Sequence, residues 1–263
     1  MASDSEGTTG SAASVWDSGA TSYDQSRQGD PVYSSCINLT AQAIPKGTSL
    51  CLDAGCGTGL SSRILGARCS TVVAVDYSLE SLRTLKSKGL QNVIVVQADL
   101  TALPFQEAAF DACVCANTLQ HFRPHDAQGR AVAELSRVTK QNGVMSVSVH
   151  HYSRTKRKAG WIKEGKPGQP GIDYIFRFTR RDLLEILPNS ITMGVGYYNM
   201  LKVPFFGSRC QNLLGAFAGR IAAILGYGHM LIAVARKHGL EGSIGQPAPN
   251  KSLNRTRDKT RAG

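Results

Sequence analysis

The feature that most constrains this chain of 263 residues is a turn of alternating glycines, Gly55-Cys56-Gly57-Thr58-Gly59, set between a short apolar run and an apolar-spaced segment. The run (Leu50, Cys51, Leu52) reads as a buried strand, and the segment (Leu60, Ile64, Leu65) as a helix. Glycine lets the main chain approach a ligand because no Cβ stands in the way. The N–H groups that open the next helix then face that ligand. In an open parallel sheet such a turn sits at the carboxyl edge of a strand, where ligands bind.

Three carboxylates recur at the same point of successive strand–helix units. Asp53 precedes the glycines, Asp76 closes Thr71-Val72-Val73-Ala74-Val75, and Asp99 follows Val93-Ile94-Val95-Val96-Gln97-Ala98. β-Branched runs of this length read as strands buried on both faces, which puts all three acids on one edge of the sheet. Any one of them alone reads equally well as a turn residue capping the next helix.

A dinucleotide fingerprint requires Gly-x-Gly-x-x-Gly, the last glycine seating helix against strand. Here Leu60 stands in that place. Leu52-Asp53-Ala54-Gly55-Cys56-Gly57-Thr58-Gly59 instead resembles the first motif of the class I methyltransferases that use S-adenosylmethionine (SAM), of the type 11-like kind. Ala98-Asp99-Leu100, Leu103-Pro104-Phe105, Phe110-Asp111 and Asn117-Thr118-Leu119-Gln120-His121-Phe122 extend the resemblance, which runs from about Tyr23 to Lys237.

The resemblance implies an α/β, Rossmann-like sheet of seven strands in the order 3-2-1-4-5-7-6, strand 7 antiparallel, with helices on both faces. It also implies roles. Asp53, Ala54, Gly55, Cys56, Gly57 and Gly59 would surround the methionine part of SAM, with Asp53 toward its ammonium. Asp76 would accept both ribose hydroxyls, and Tyr77 would flank the adenine. Asp99 and the Leu100 N–H would meet the adenine edge, and Asn117 would border the cofactor. Tyr23 and Arg27 resemble the amino-terminal segment that closes over SAM; a surface helix is the plain alternative. The product would be S-adenosylhomocysteine.

Coarse periodicity places strands near 49–54, 71–76, 92–97, 110–116, 143–149, 191–198 and 229–236. Helices fall near 58–66, 78–88, 125–138, 179–187 and 208–225. The pattern gives an amino-terminal segment 1–14 that reads as disordered, one α/β domain at 15–238, which the resemblance makes a methyltransferase domain, and a disordered basic tail at 239–263. A basic insertion or mobile loop at about 151–171 interrupts the domain. The net charge of +11 is concentrated. From His151 to Arg181, nine Lys or Arg face Glu164 and Asp173, a net +7; from Asn250 to Gly263, five face Asp258, a net +4. Those two stretches account for the whole surplus, so RNA is a candidate partner through the insertion and tail, beside a small-molecule acceptor.

Seven cysteines without disulfide or zinc spacing read as small buried hydrophobes in a reducing, cytoplasmic setting, and no metal site is expected. The apolar stretch Ile221 to Ala235 is shorter than the roughly 20 residues a bilayer requires. Candidate bases are His121 at the mouth of the site, or His150 or His151 at the end of strand five, of which strand alternation turns one toward the site. A polar rim histidine is the plain reading of His121. Tyr152, Tyr174 and Phe176 read as aromatics that stack on a flat substrate or pack beneath the insertion. The leading expectation is methyl transfer to a small molecule. A transferase acting on wobble uridines of tRNA is the alternative within the class, on the distant resemblance of Asp173-Tyr174-Ile175-Phe176-Arg177-Phe178. A nicotinamide-dependent oxidoreductase and a non-catalytic SAM-binding module are the alternatives outside it. Oligomeric state is not legible.

Overall fold

Alternating β-branched runs and amphipathic segments fold into strand–helix units, because each strand can bury both faces only if helices cover them. The computed structural model of the protein describes residues 17, 31–123, 125–166, 174–187, 191–198 and 228–237. Tyr23, Arg27, the 208–225 helix, Cys210 and both tails lie outside the described residues.

The main elements are α1 (Pro31–Gln42), β1 (Thr48–Ala54), α2 (Leu60–Gly66), β2 (Cys69–Asp76), α3 (Leu79–Ser87), β3 (Val93–Gln97), β4 (Phe110–Ala116), α4 (His125–Val138) and β5 (Thr139–His150). They are followed by α5 (Arg154–Lys158), β6 (Glu164–Gly165), β7 (Ile175–Phe176), α6 (Arg180–Ile186), β8 (Ile191–Tyr198) and β9 (Met230–Lys237). The large sheet runs β3-β2-β1-β4-β5-β9-β8. Strands β1 to β5 are mutually parallel, and β9 is antiparallel to both β5 and β8. This is an α/β, Rossmann-like architecture.

Strand alternation divides the core in two. Leu52, Val73, Cys113, Met145 and Val147 face Ala131, Val132, Leu135 and Val138 of α4. Cys51, Val72, Ala112, Val114 and Val144 face Ile37 and Ala41 of α1 and Leu65 of α2. Each fully buried aliphatic side chain contributes about 1.5–3 kcal/mol, against about 1 kcal/mol for a helix cap, so these faces dominate the stability. The six described cysteines are all buried and unpaired, as small hydrophobes would be.

Local features differ from the sequence expectation. The third strand lies at the sheet edge, beyond the reach of full helix cover, so Ile94 is 54% exposed rather than buried. The segment after β5 is not a plain loop: α5, capped by Ser153, leads into the antiparallel β6–β7 pair. Tyr174, Phe176 and Phe178 of this segment enter the core, the last two with rings edge to face at 4.8 Å. Ile175 and Arg177 between them are buried as well, so the stretch carries no alternation of exposure for sequence to show.

Strand β5 begins at Thr139, four residues before the expected start, through an irregularity in the β4–β5 register. A Cβ on Gly143 would lie 2.8 Å from the Lys140 carbonyl oxygen and 2.9 Å from that of Asp111. Backbone atoms cannot swing aside, so Gly143→Ala is expected to cost about 1–3 kcal/mol. Chemical denaturation should show the midpoint falling at constant slope.

Candidate active site

The site is assembled where β1, β2 and β4 end together. The glycines of the first turn all take left-handed backbone, with φ of 71° at Gly55, 52° at Gly57 and 93° at Gly59. They do so for different reasons. A Cβ at Gly55 would lie 2.3 Å from Thr118 Cγ2, and one at Gly59 would lie 2.2 Å from Leu85 Cδ1. A Cβ at Gly57 would meet nothing within 4 Å. The outer glycines therefore serve packing, whereas the middle one opens onto space. The Gly55 and Cys56 N–H groups donate to the Val75 carbonyl at 2.7 and 2.9 Å, binding the turn to the end of β2. Ala54 and Cys56 are buried, and burial holds the Cys56 thiol protonated.

Asp53 lies beneath this turn and is 1% exposed. Its Oδ2 accepts from the hydroxyls of Ser61 at 2.8 Å and Ser62 at 2.6 Å, both in the first turn of α2. Its Oδ1 has no hydrogen-bond partner. Burial raises the Asp53 carboxyl to about 6, and the two hydroxyls only partly offset this. A buried carboxylate oxygen without a donor is costly, and a cationic ligand group is the partner that would relieve it. The serines were not singled out from sequence; hydroxyls in the first turn after a buried acid are the signal that could have found them.

Asp76 accepts the Gly57 N–H on Oδ2 at 2.8 Å and the Ser78 N–H on Oδ1 at 2.9 Å. A carboxylate offers about four acceptor positions, so each oxygen keeps capacity for one more donor. Burial raises its pKa as well. Ser78 caps α3 and donates its hydroxyl to Asp17 at 2.6 Å, which anchors one point of the amino-terminal segment beside Asp76. Tyr77 is half-buried next to it. Asp99 is exposed and its Oδ1 accepts from the Thr101 N–H and hydroxyl at 2.8 and 2.9 Å, so it performs the turn-capping role, with Oδ2 still available. Leu100 is buried beside it.

The β4 end completes the rim. Asn117 takes φ 54°, a left-handed conformation that Asn tolerates better than most side chains. Its Oδ1 accepts from Ser148 at 3.1 Å, while its buried Nδ2 has no partner. Thr118, which packs on Gly55, donates its hydroxyl to the Gly55 carbonyl at 3.1 Å. Its role becomes visible only through this contact.

The candidate bases differ in setting. His121 Nδ1 lies 3.0 Å from the Tyr174 carbonyl, which can only accept, so Nδ1 carries the proton and Nε2 is the acceptor. His151 is buried, with Nδ1 at 2.9 Å from the Gly228 carbonyl, and burial lowers its pKa so that it stays neutral. His150 is half-buried at the last position of β5. Tyr174 and Phe176 pack in the core; the Tyr174 hydroxyl donates to Glu164 at 2.7 Å and its ring lies 4.1 Å from the Arg123 guanidinium. Among the described residues, no group of three or more His, Cys, Asp or Glu could hold a metal ion, and no helix is long and apolar enough to cross a membrane.

Comparison with known proteins gives this geometry a context. Residues 52–147 match the family model described as a methyltransferase domain. A probable S-adenosylmethionine-dependent methyltransferase of Mycobacterium tuberculosis is 33% identical over 97 residues, 37% of this chain and 34% of that protein. A tRNA (carboxymethyluridine(34)-5-O)-methyltransferase of Arabidopsis thaliana is 34% identical over 109 residues, 41% of this chain and 25% of that protein. The chain thus spans about a third or less of the length of these relatives. The fold is shared with the DhpI–SAM–HEP complex at a TM-score of 0.62 and 19% identity, over 89% of this chain and all of that one. Over residues 52–147 the chain is thus similar to methyltransferase domains, and its fold is that of a methyltransferase-type α/β sheet.

Proposed function

We propose that the protein transfers a methyl group from SAM to a small-molecule acceptor by in-line displacement. The observation that carries the cofactor end is Asp53 Oδ1, a buried carboxylate oxygen with no donor, lying under a turn whose middle glycine opens onto space. When bound, SAM supplies an electrophilic methyl group on a sulfonium. Asp53 and the Gly57 opening would hold its methionine end. The remaining acceptor capacity of Asp76 would take the ribose hydroxyls, and Tyr77, Asp99 Oδ2 and Leu100 would border the adenine. Asn117 Nδ2 is a further donor awaiting a partner at the rim.

Transfer from a sulfonium requires alignment more than covalent help. Where the acceptor is a hydroxyl or amine, His121 would receive its proton on Nε2, since the Tyr174 carbonyl fixes the tautomer. His151 is a poorer base, because burial disfavours its protonated form. Leu60 packs into the core at the place a dinucleotide turn reserves for glycine, which supports SAM over a nicotinamide cofactor.

Transfer to tRNA is the second reading, favoured by the Arabidopsis relative. Against it, two of the nine basic residues between 151 and 181, Lys156 and Arg177, are buried rather than displayed to a phosphate backbone. Calorimetric titration is expected to show SAM and S-adenosylhomocysteine binding and NAD silent; heat from NAD alone would end the proposal. Radiolabelled SAM added to extract should then label the soluble small-molecule fraction. Label in tRNA, with binding that falls steeply with salt, would move the assignment to the second reading. Asp76→Ala is expected to weaken SAM by about 1.5–3 kcal/mol, roughly ten- to a hundredfold. Unchanged affinity in the same titration would remove Asp76 from the site.

A further inference from the structure

Buried cations in proteins are ordinarily paired with an anion, since an isolated charge away from water is expensive. Lys156 and Arg177 break that rule together. Lys156, in α5, is 9% exposed and Arg177, just after β7, is 4% exposed. The Lys156 ammonium donates to the His151 and His229 carbonyls at 2.9 and 3.1 Å. Arg177 Nη1 donates to the Ile162 carbonyl at 2.7 Å, and its buried Nε has no partner. Neither side chain forms an ion pair with a carboxylate among the described residues. An ammonium has three donors and a guanidinium five, so both retain donors beyond these carbonyls.

The two cations repel each other, and burial together with Arg177 lowers Lys156 to about 8. Both lie against one aromatic ring, with Lys156 Nζ 5.6 Å and the Arg177 guanidinium carbon 5.0 Å from the centre of the Trp161 indole. Trp161 itself is 46% exposed, so the pair lies beneath a residue at the surface. The position is the carboxyl edge of the sheet: His151 follows β5, His229 precedes β9, and the Phe178 N–H donates to the His150 carbonyl at 2.8 Å. The backbone of the same segment reaches His121 through the Tyr174 carbonyl.

We propose that Lys156 and Arg177, beside Trp161, form a binding site for an oxyanion, a carboxylate or phosphate group, at the carboxyl edge of β5. Ammonium and guanidinium donors on one anion make charge-assisted hydrogen bonds, and the anion cancels the repulsion between them. The site is distinct from the cofactor turn and does not depend on methyl transfer.

Inorganic phosphate titrated into the full chain is expected to give a saturable heat and to change Trp161 emission, read in a Trp16→Phe background so that one indole reports. Lys156→Gln and Arg177→Gln should each weaken phosphate by about tenfold, the loss of one charge-assisted hydrogen bond. SAM affinity, measured on the same samples, should stay unchanged. Arg177→Lys keeps the charge should the glutamine variant fail to fold, and it is expected to retain most of the phosphate affinity. Phosphate binding undiminished in both neutral variants overturns the site. So does the absence of heat and emission change in native protein that still binds SAM, a result that leaves the cofactor reading intact. Two sources of the oxyanion are then separated by labelling extract from radiolabelled SAM. Label that falls as phosphate fills the site means the methyl acceptor carries the oxyanion; undisturbed label means a free ion occupies it.

Discussion

At pH 7 the Asp53→Asn variant is expected to unfold at a higher temperature than the native chain while binding SAM at least tenfold more weakly. Both effects come from the same buried carboxyl. Its folded-state value of about 6 lies above the ordinary carboxylate range. The folded state therefore holds a proton that the unfolded chain releases first. Stability from this group is complete below about pH 4 and is lost as pH rises through about 6. The loss is on the order of 3 kcal/mol at neutral pH. Asparagine removes that cost and can still share hydrogen bonds with Ser61 and Ser62. What it cannot offer is a negative charge for an ammonium on Oδ1. In the native chain SAM affinity should rise between about pH 4 and 6 and then level, with proton release on binding near pH 6. A stabilised variant with full SAM affinity would place the ammonium elsewhere.

The second large effect is expected from Gly55→Ala. Left-handed backbone costs a residue with a Cβ about 1–2 kcal/mol. The new methyl would also lie within 2.3–2.7 Å of three Thr118 side-chain atoms. Thr118 cannot yield freely, because its hydroxyl donates to the Gly55 and Ala116 carbonyls at 3.1 and 3.2 Å. Overpacking of this kind costs about 1–3 kcal/mol, so the total reaches about 2–5 kcal/mol. Displacing the turn would also misplace Gly57. Thermal denaturation and SAM titration should both register the change. Gly57→Ala provides the contrast: its methyl meets no protein atom, so it loses ligand affinity out of proportion to stability. Equal stability losses at the two positions would contradict the division of labour between these glycines.

Much of the site was legible because its signals are local. The glycine turn, the acids that end β1 and β2, and the bounds of β4, α4 and β8 are set by neighbours in sequence: strand period, β-branching and the need for positive φ. The α/β class follows from the same alternation. Asp99 illustrates the limit of that logic. It occupies the expected place in its unit, yet its Oδ1 serves the Thr101 turn, a use that sequence position cannot separate from ligand binding.

The chain by itself determined which residues reach the carboxyl edge, since strand–helix periodicity and glycine conformation act within a few residues. Only the tertiary structure decided what each then does. Contacts separated by tens of residues made Thr118 the wall against Gly55, turned the His121 tautomer by means of the Tyr174 carbonyl and left Asp53 Oδ1 without a donor. The same long-range packing drew Lys156 and Arg177 out of water from within the basic run between His151 and Arg181. Burial and partner choice depend on the whole three-dimensional neighbourhood, and no window of sequence contains it.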